Sequence, residues 1–216
     1  MAKIFCISGM GADERIFSNF KVPDFDPVIL KWLVPEINES IEHYAKRMIE
    51  QINEEEPILL GVSFGGIMCI EISKIIKTKL IILVSTIKSR NEMPFWMRMV
   101  NKLNLHKIIK PRNYSILEPL ENYNLGVTSN FEKEMVRNYR KNVDITYLDW
   151  AINVFLRWEN TYLPLNYFHI HGSKDKIFPT RLLRNMHLIL GGGHLMIFNK
   201  SKQINELIYD RIKYIA

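Results

Sequence analysis

The sequence predicts an α/β protein of three layers, α/β/α, on a mostly parallel sheet of about six strands. Short continuous apolar runs alternate with stretches of helical periodicity, the pattern left by strands that are buried on both faces of a parallel sheet. The chain has 216 residues, 47% of them hydrophobic and 24% charged. That is enough to bury one full core without metal or disulfide staples, and the composition excludes disordered and fibrous classes.

The elements follow in order. The first apolar run, from Lys3 to Ser8, stops at Gly9-Met10-Gly11, as a buried strand does when it turns sharply at its carboxyl end. Asp13 then stands where a helix cap is needed, ahead of a helix reaching Phe20. Residues 28–33 form a second strand, and Asn38-Glu39-Ser40 precedes a helix whose apolar positions are Ile41, Tyr44, Ala45, Met48, Ile49 and Ile52. Pro57 opens a third strand at 58–62; a helix to residue 76 leads to a fourth at 80–84. The rhythm then breaks. Between 88 and 162 apolar residues recur at helical spacing among charges (Phe95, Met99, Leu103; Phe131, Met135, Tyr139; Leu148, Ile152, Phe155), which reads as a helical insertion. Strands return at 167–170 and 186–190, the latter read as buried, and 201–215 closes as an amphipathic helix. The domain reading is a core of 1–87 and 163–216 with a helical cap, 88–162, inserted in it.

No apolar run approaches the roughly 18 residues of a membrane span, and the N-terminus does not read as a signal peptide. Cys6 and Cys69 sit in apolar settings without a partner motif, so free buried thiols in a reducing cytoplasm are expected. The net charge is +6, and seven bases face one acid, Glu92, between Lys88 and Arg112. An amphipathic cap helix over 94–109, apolar through Phe95, Trp96, Met99, Val100 and Leu103, accounts for most of this. Binding of an anionic substrate or carrier, or weak membrane-surface association through 88–112, stay open. Nucleic acid is not an expected partner, because no binding module accompanies the charge.

The strongest chemical signal is Gly61-Val62-Ser63-Phe64-Gly65, directly after one predicted strand and directly before a helix. By composition only about 0.02 such G-x-S-x-G pentapeptides are expected in a chain like this, and the strand-turn-helix context is the one that thrusts a serine hydroxyl above a sheet. A serine nucleophile needs a base and an orienting acid. Two later loops offer them: His171-Gly172-Ser173-Lys174-Asp175 carries Asp175, and Gly191-Gly192-Gly193-His194 carries His194.

With this elbow, a G-x-x-D loop before a proline and a G-G-H loop in that order, the chain resembles α/β-hydrolase-fold proteins of the compact kind with a helical cap. The resemblance covers roughly 3–87 and 163–216. It implies Ser63 as nucleophile, His194 as general base and then acid, and Asp175 as the residue that fixes the histidine tautomer. It also implies an oxyanion hole from the backbone N–H groups of Phe64 and Met10. Ser8 stands where such proteins often have histidine, and the usual first two strands have no counterpart here.

The remaining candidates have simpler readings. His169 and His171 are taken as strand-end packing, His43, His106 and His187 as isolated structural or solvated residues, and Asp13 and Arg15 as a cap and a surface pair. Asp144 and Asp149, in the insertion, do not compete with Asp175. The expected activity is a serine hydrolase acting on a small or medium, largely apolar ester or thioester, with no metal and no organic cofactor. Carbon–carbon bond hydrolysis, acyl transfer, a hydroxynitrile-lyase-like elimination and a binding module with little turnover remain alternatives.

Overall fold

A computed structural model describes residues 1–103 and 114–215. His106, Lys107, Lys110 and Arg112, and the second half of the helix expected over 94–109, lie outside the described residues.

Six strands form one sheet: β1 (Ala2–Ile7), β2 (Phe25–Leu30), β3 (Ile58–Val62), β4 (Leu80–Val84), β5 (Tyr167–Gly172) and β6 (His187–Ile189). Their order is β2-β1-β3-β4-β5-β6 and every neighbouring pair is parallel. The sheet is therefore wholly parallel where the sequence reading allowed mixed pairing. Successive side chains of β1 take opposite faces: Ile4 and Cys6 join the apolar layer under the C-terminal helices, while Phe5 and Ile7 join the layer on the other side. Both layers consist of buried apolar side chains, and each fully buried aliphatic side chain contributes roughly 1.5–3 kcal/mol.

Helix α1 (Ile41–Ile49) starts where Ser40 accepts the N–H of His43, and α2 (Phe64–Ser73) follows the turn at Ser63. Helix α2 is buried almost all round, from Phe64 to Ile72, as its uniformly apolar sequence requires. Residues 85–166 separate β4 from β5. Within them lie α3 (Phe95–Lys102), α4 (Tyr114–Leu125), α5 (Asn130–Asn142) and α6 (Ile145–Arg157), with α3 packed on α6. The chain closes with α7 (Met196–Asn199) and α8 (Ser201–Ile212). None of the described helices is long and apolar enough to cross a membrane.

Several boundaries move, for physical reasons. Strand β2 starts at Phe25 and includes Pro27, which is tolerated because β2 is an edge strand whose outer side needs no ladder donor. The helix expected up to Phe20 is a single 3-10 turn, Glu14–Phe17, capped by Asp13. Strand β6 is the other edge, so Leu188 and Leu190 are exposed where the sequence suggested burial. On α3 the buried residue is Met97, which the predicted apolar face did not include; of that face Phe95, Trp96 and Leu103 are exposed and Val100 packs partly buried against the core. His43 is not isolated: its Nδ1 lies 2.7 Å from Glu39 Oε1. Cys6 and Cys69 are both buried and free.

Candidate active site

The strand order reverses between β1 and β3: the chain runs outward from β1 to β2, then returns to place β3 on the other side. At such a switch point the loops leaving the carboxyl ends of adjacent strands diverge and open a crevice. The loop after β1 carries Gly9 and Met10, and the turn after β3 carries Ser63.

Ser63 has φ 54° and ψ −119°, a left-handed conformation that costs a non-glycine residue about 1–3 kcal/mol. Three hydrogen bonds hold it there. Its N–H donates to Val84 O at 2.9 Å, and its carbonyl accepts from Gly66 N at 2.9 Å and from Thr86 Oγ1 at 2.7 Å. The flanking glycines are required by close approach. A methyl at Gly61 would overlap the Gly65 backbone, and one at Gly65 would overlap the Ile7 and Ser8 carbonyls. The G-x-S-x-G spacing thus lets α2 rise directly off the sheet between β1 and β3, with its N-terminus beneath the serine.

Asp175 and His194 meet Ser63 from two loops laced together. Lys174 N donates to Gly192 O at 2.8 Å, and Gly191 N donates to Ser173 Oγ at 2.8 Å. Leu195 N donates to Leu125 O of α4 at 2.9 Å, which ties the histidine loop to the inserted helices. His194 Nδ1 lies 2.8 Å from Asp175 Oδ2, and His194 Nε2 lies 3.0 Å from Ser63 Oγ. An aspartate can only accept, so the pairing assigns the proton to Nδ1 and leaves the Nε2 lone pair facing the serine hydroxyl. The other carboxylate oxygen, Oδ1, accepts the N–H groups of Ile177 and Phe178, both at 2.9 Å. Burial alone would raise the Asp175 carboxyl. The facing His194 and His171 and these N–H donors outweigh it and hold the group below the ordinary aspartate range.

His171 is a site neighbour that its sequence position did not announce. It is fully buried, its Nε2–H donates to Phe178 O at 2.8 Å, and the same nitrogen lies 3.3 Å from Asp175 Oδ2. Two imidazoles therefore face one carboxylate oxygen. The signal was its i to i+4 relation to Asp175 at the end of β5. Burial, with the charge of Lys88 and the neighbouring His194, outweighs Asp175 and lowers the His171 pKa below the ordinary histidine value. His169 is lowered further by burial and by Lys88, whose Nζ lies 2.9 Å from its Nδ1.

Ser8 braces the loop after β1. Its hydroxyl donates to Ala12 O at 2.7 Å and accepts from Trp32 Nε1 at 3.0 Å. Neither the Met10 nor the Phe64 N–H has a hydrogen-bond acceptor among the described residues. Gly9 lies against Ser63, since a Cβ there would sit 3.4 Å from the Ser63 Cβ. Asp13 pairs with Arg15, and Asp144 caps α6. Glu36, Glu39 and His43 lie close enough together to share a cation, but Arg47 already pairs with Glu39 at 2.8 Å and Glu36 at 3.6 Å.

Ser63 and His194 open on a cavity of about 460 Å³. Its walls are almost entirely apolar, with Trp96, Met97 and Val100 from α3, Ile152, Phe155 and Leu156 from α6, and Phe178 beside the histidine. Such a volume and lining suit a small organic molecule with an apolar body.

No protein-family model matches the sequence, and no curated protein does. Solved structures do match. A thermophilic esterase from Thermogutta terrifontis superposes with a TM-score of 0.80 at 13% identity, over 100% of this chain and 90% of that one. An esterase from Exiguobacterium antarcticum gives 0.79 at 14%, over 99% and 92%. An epoxide hydrolase from Bacillus megaterium gives 0.71 at 14%, over 99% and 94%. These similarities establish the architecture, that of the α/β-hydrolase fold.

Proposed function

We propose that this α/β-hydrolase-fold chain is a serine hydrolase, cleaving a small or medium, largely apolar ester or thioester through an acyl-enzyme on Ser63. The observation that carries the proposal is the hydrogen-bonded relay from Asp175 through His194 to Ser63, opening on an apolar cavity. In this reading Ser63 Oγ attacks the acyl carbon while His194 Nε2 takes its proton, and the carbonyl π electrons move onto oxygen. The N–H groups of Met10 and Phe64 stabilise that oxyanion; removing one such donor typically costs about 10²–10³ in rate. The tetrahedral adduct collapses as His194 returns the proton to the leaving oxygen or sulfur. Water then attacks the acyl-enzyme, giving its proton to His194, and Ser63 leaves with that proton to release the acid.

The second half of the proposal is a cap of residues 88–162 over a core of 1–87 and 163–216, with the cap supplying the apolar walls. Two buried unpaired thiols favour a reducing, cytoplasmic setting. The test is a panel of p-nitrophenyl esters and acyl-coenzyme A thioesters of two to twelve carbons, with wild type and Ser63→Ala. Turnover of at least one class, abolished in the variant, is expected. Saturable binding without turnover would reassign the chain to a ligand-binding module. Turnover of a ketone or cyanohydrin alone would move it to carbon–carbon or elimination chemistry.

A further inference from the structure

Among the described residues, Tyr139 is the one wall residue of the catalytic cavity, apart from Ser63 and His194, that carries a hydroxyl or a titratable group. It lies on α5, about two turns along the Phe131, Met135, Tyr139 stripe, and is only 6% exposed. Its hydroxyl makes no hydrogen bond among the described residues. Solvent still reaches it, so a ligand oxygen that displaces this water can take over its hydrogen bond without breaking one inside the protein. Burial also pushes the phenol upward, so the group stays a neutral donor and acceptor at working pH.

The surroundings say what kind of atom completes it. Tyr139 also lines a second chamber of about 450 Å³, which shares Met10, Trp96, Met97 and Ile152 with the catalytic cavity. Tyr139 belongs to the wall that the two spaces share, which places it to meet a molecule bonded to Ser63 that extends toward that wall. The charged groups closest in effect to the hydroxyl are Arg140, Asp13, Glu121 and Arg15. They are already matched: Arg140 pairs with Glu121 at 2.8 Å, and Arg15 with Asp13. None of these four is left unmatched, and Lys176, the other charged wall residue of the second chamber, has its Nζ engaged by Tyr123, donating to Tyr123 O at 3.2 Å and lying over the ring. A methylene chain would leave the phenol unbonded, whereas a neutral oxygen would accept its proton or donate to it.

We infer that the preferred substrate carries a neutral oxygen, a hydroxyl or a carbonyl, away from its scissile bond, and that Tyr139 is the specificity-determining residue that selects it. This rests on the serine hydrolase reading and narrows its substrate class. A site built around a hydrogen bond discriminates against the analogue lacking the partner more strongly than an apolar pocket discriminates by one methylene.

The test uses the full chain and p-nitrophenyl hexanoate beside p-nitrophenyl esters of the same length with one keto or hydroxyl oxygen at successive acyl carbons. Hexanoate esters of butanol and of isomeric hydroxybutanols probe the leaving-group side. Wild type should prefer at least one oxygenated ester by about tenfold or more in kcat/KM, and Tyr139→Phe should bring that ratio to near one. No preference for any oxygenated ester, or a preference that Tyr139→Phe leaves in place, would overturn the inference while leaving the hydrolase reading intact. Should the variant not fold, the wild-type ratios decide alone. An enzyme that hydrolyses no ester in the series and whose Ser63 resists a fluorophosphonate would instead remove the hydrolase reading, and this inference with it.

Discussion

Replacing Asp175 with asparagine tests the electronic half of the relay while keeping its shape. The Asn carbonyl can still accept the N–H groups of Ile177 and Phe178, which Asp175 Oδ1 accepts at 2.9 Å. The side-chain amide then takes the place of Oδ2, where it meets His194 Nδ1 at about the present 2.8 Å and His171 Nε2 at about the present 3.3 Å. Both encounters turn an acceptor into a donor. His194 must present a lone pair at Nδ1, which moves its proton to Nε2, and a protonated Nε2 cannot take the serine proton. Where this tautomer error has been isolated in a serine protease, the loss in kcat is about 10⁴, equal to roughly 5.4 kcal/mol of barrier. The same order is expected here. Active-site-titrated enzyme and the best p-nitrophenyl ester measure it, with circular dichroism to confirm that the variant is folded. A folded Asp175→Asn variant retaining a tenth or more of wild-type kcat would refute the assignment of His194 as a base oriented by Asp175.

Acid should weaken the fold in two windows. His169 and His171 have lowered folded-state pKa values, so below the ordinary histidine value of about 6.5 the unfolded chain binds more protons than the folded one. Stability is complete above that value and falls as pH drops toward the lowered folded values; a Tm that stays flat from pH 7 to pH 5 would contradict this. Asp175, also lowered, adds a further loss below its ordinary range near pH 3.8. Ser63→Gly should abolish activity yet raise stability by about 1 kcal/mol, because glycine accepts φ 54° without the strain a serine stores. Ser63→Ala keeps that strain, so equal Tm values for the two variants would show that the turn is not strained.

The parts of this fold that the sequence displayed are those set by local chemistry. Strands β3 and β4 are continuous apolar runs because both of their faces are covered, and their bounds match the expected ones residue for residue. The elbow was visible because the close approach of α2 to β3 at position 61 and to the end of β1 at position 65 admits only glycine there. Asp175 and His194 stood out because the loops leaving β5 and β6 carry them beside glycines. Less legible were features decided by tertiary neighbours. Pro27 looks like a strand breaker until β2 is known to be an edge. Phe131 shares helical spacing with the buried Met135 and Tyr139 yet faces outward, since spacing defines a stripe without fixing which end of it reaches the core. Ser8 braced by Trp32 and Tyr139 in the cavity wall depend on segments far apart in sequence, and no local pattern encodes them; His171 stands only four residues before Asp175, but its approach to that carboxylate is set by how the loop leaving β5 folds back.

Everything assigned to the site requires that the Ser63 hydroxyl become covalently acylated. Stopped-flow mixing of enzyme with a p-nitrophenyl ester, quenched in acid and followed by peptide mass mapping, measures this directly. A burst of p-nitrophenolate approaching one equivalent and an acyl mass increment on the peptide containing Ser63, both absent in Ser63→Ala, are predicted. Steady turnover by wild type and Ser63→Ala alike, with no increment on that peptide at any time point, would contradict the account.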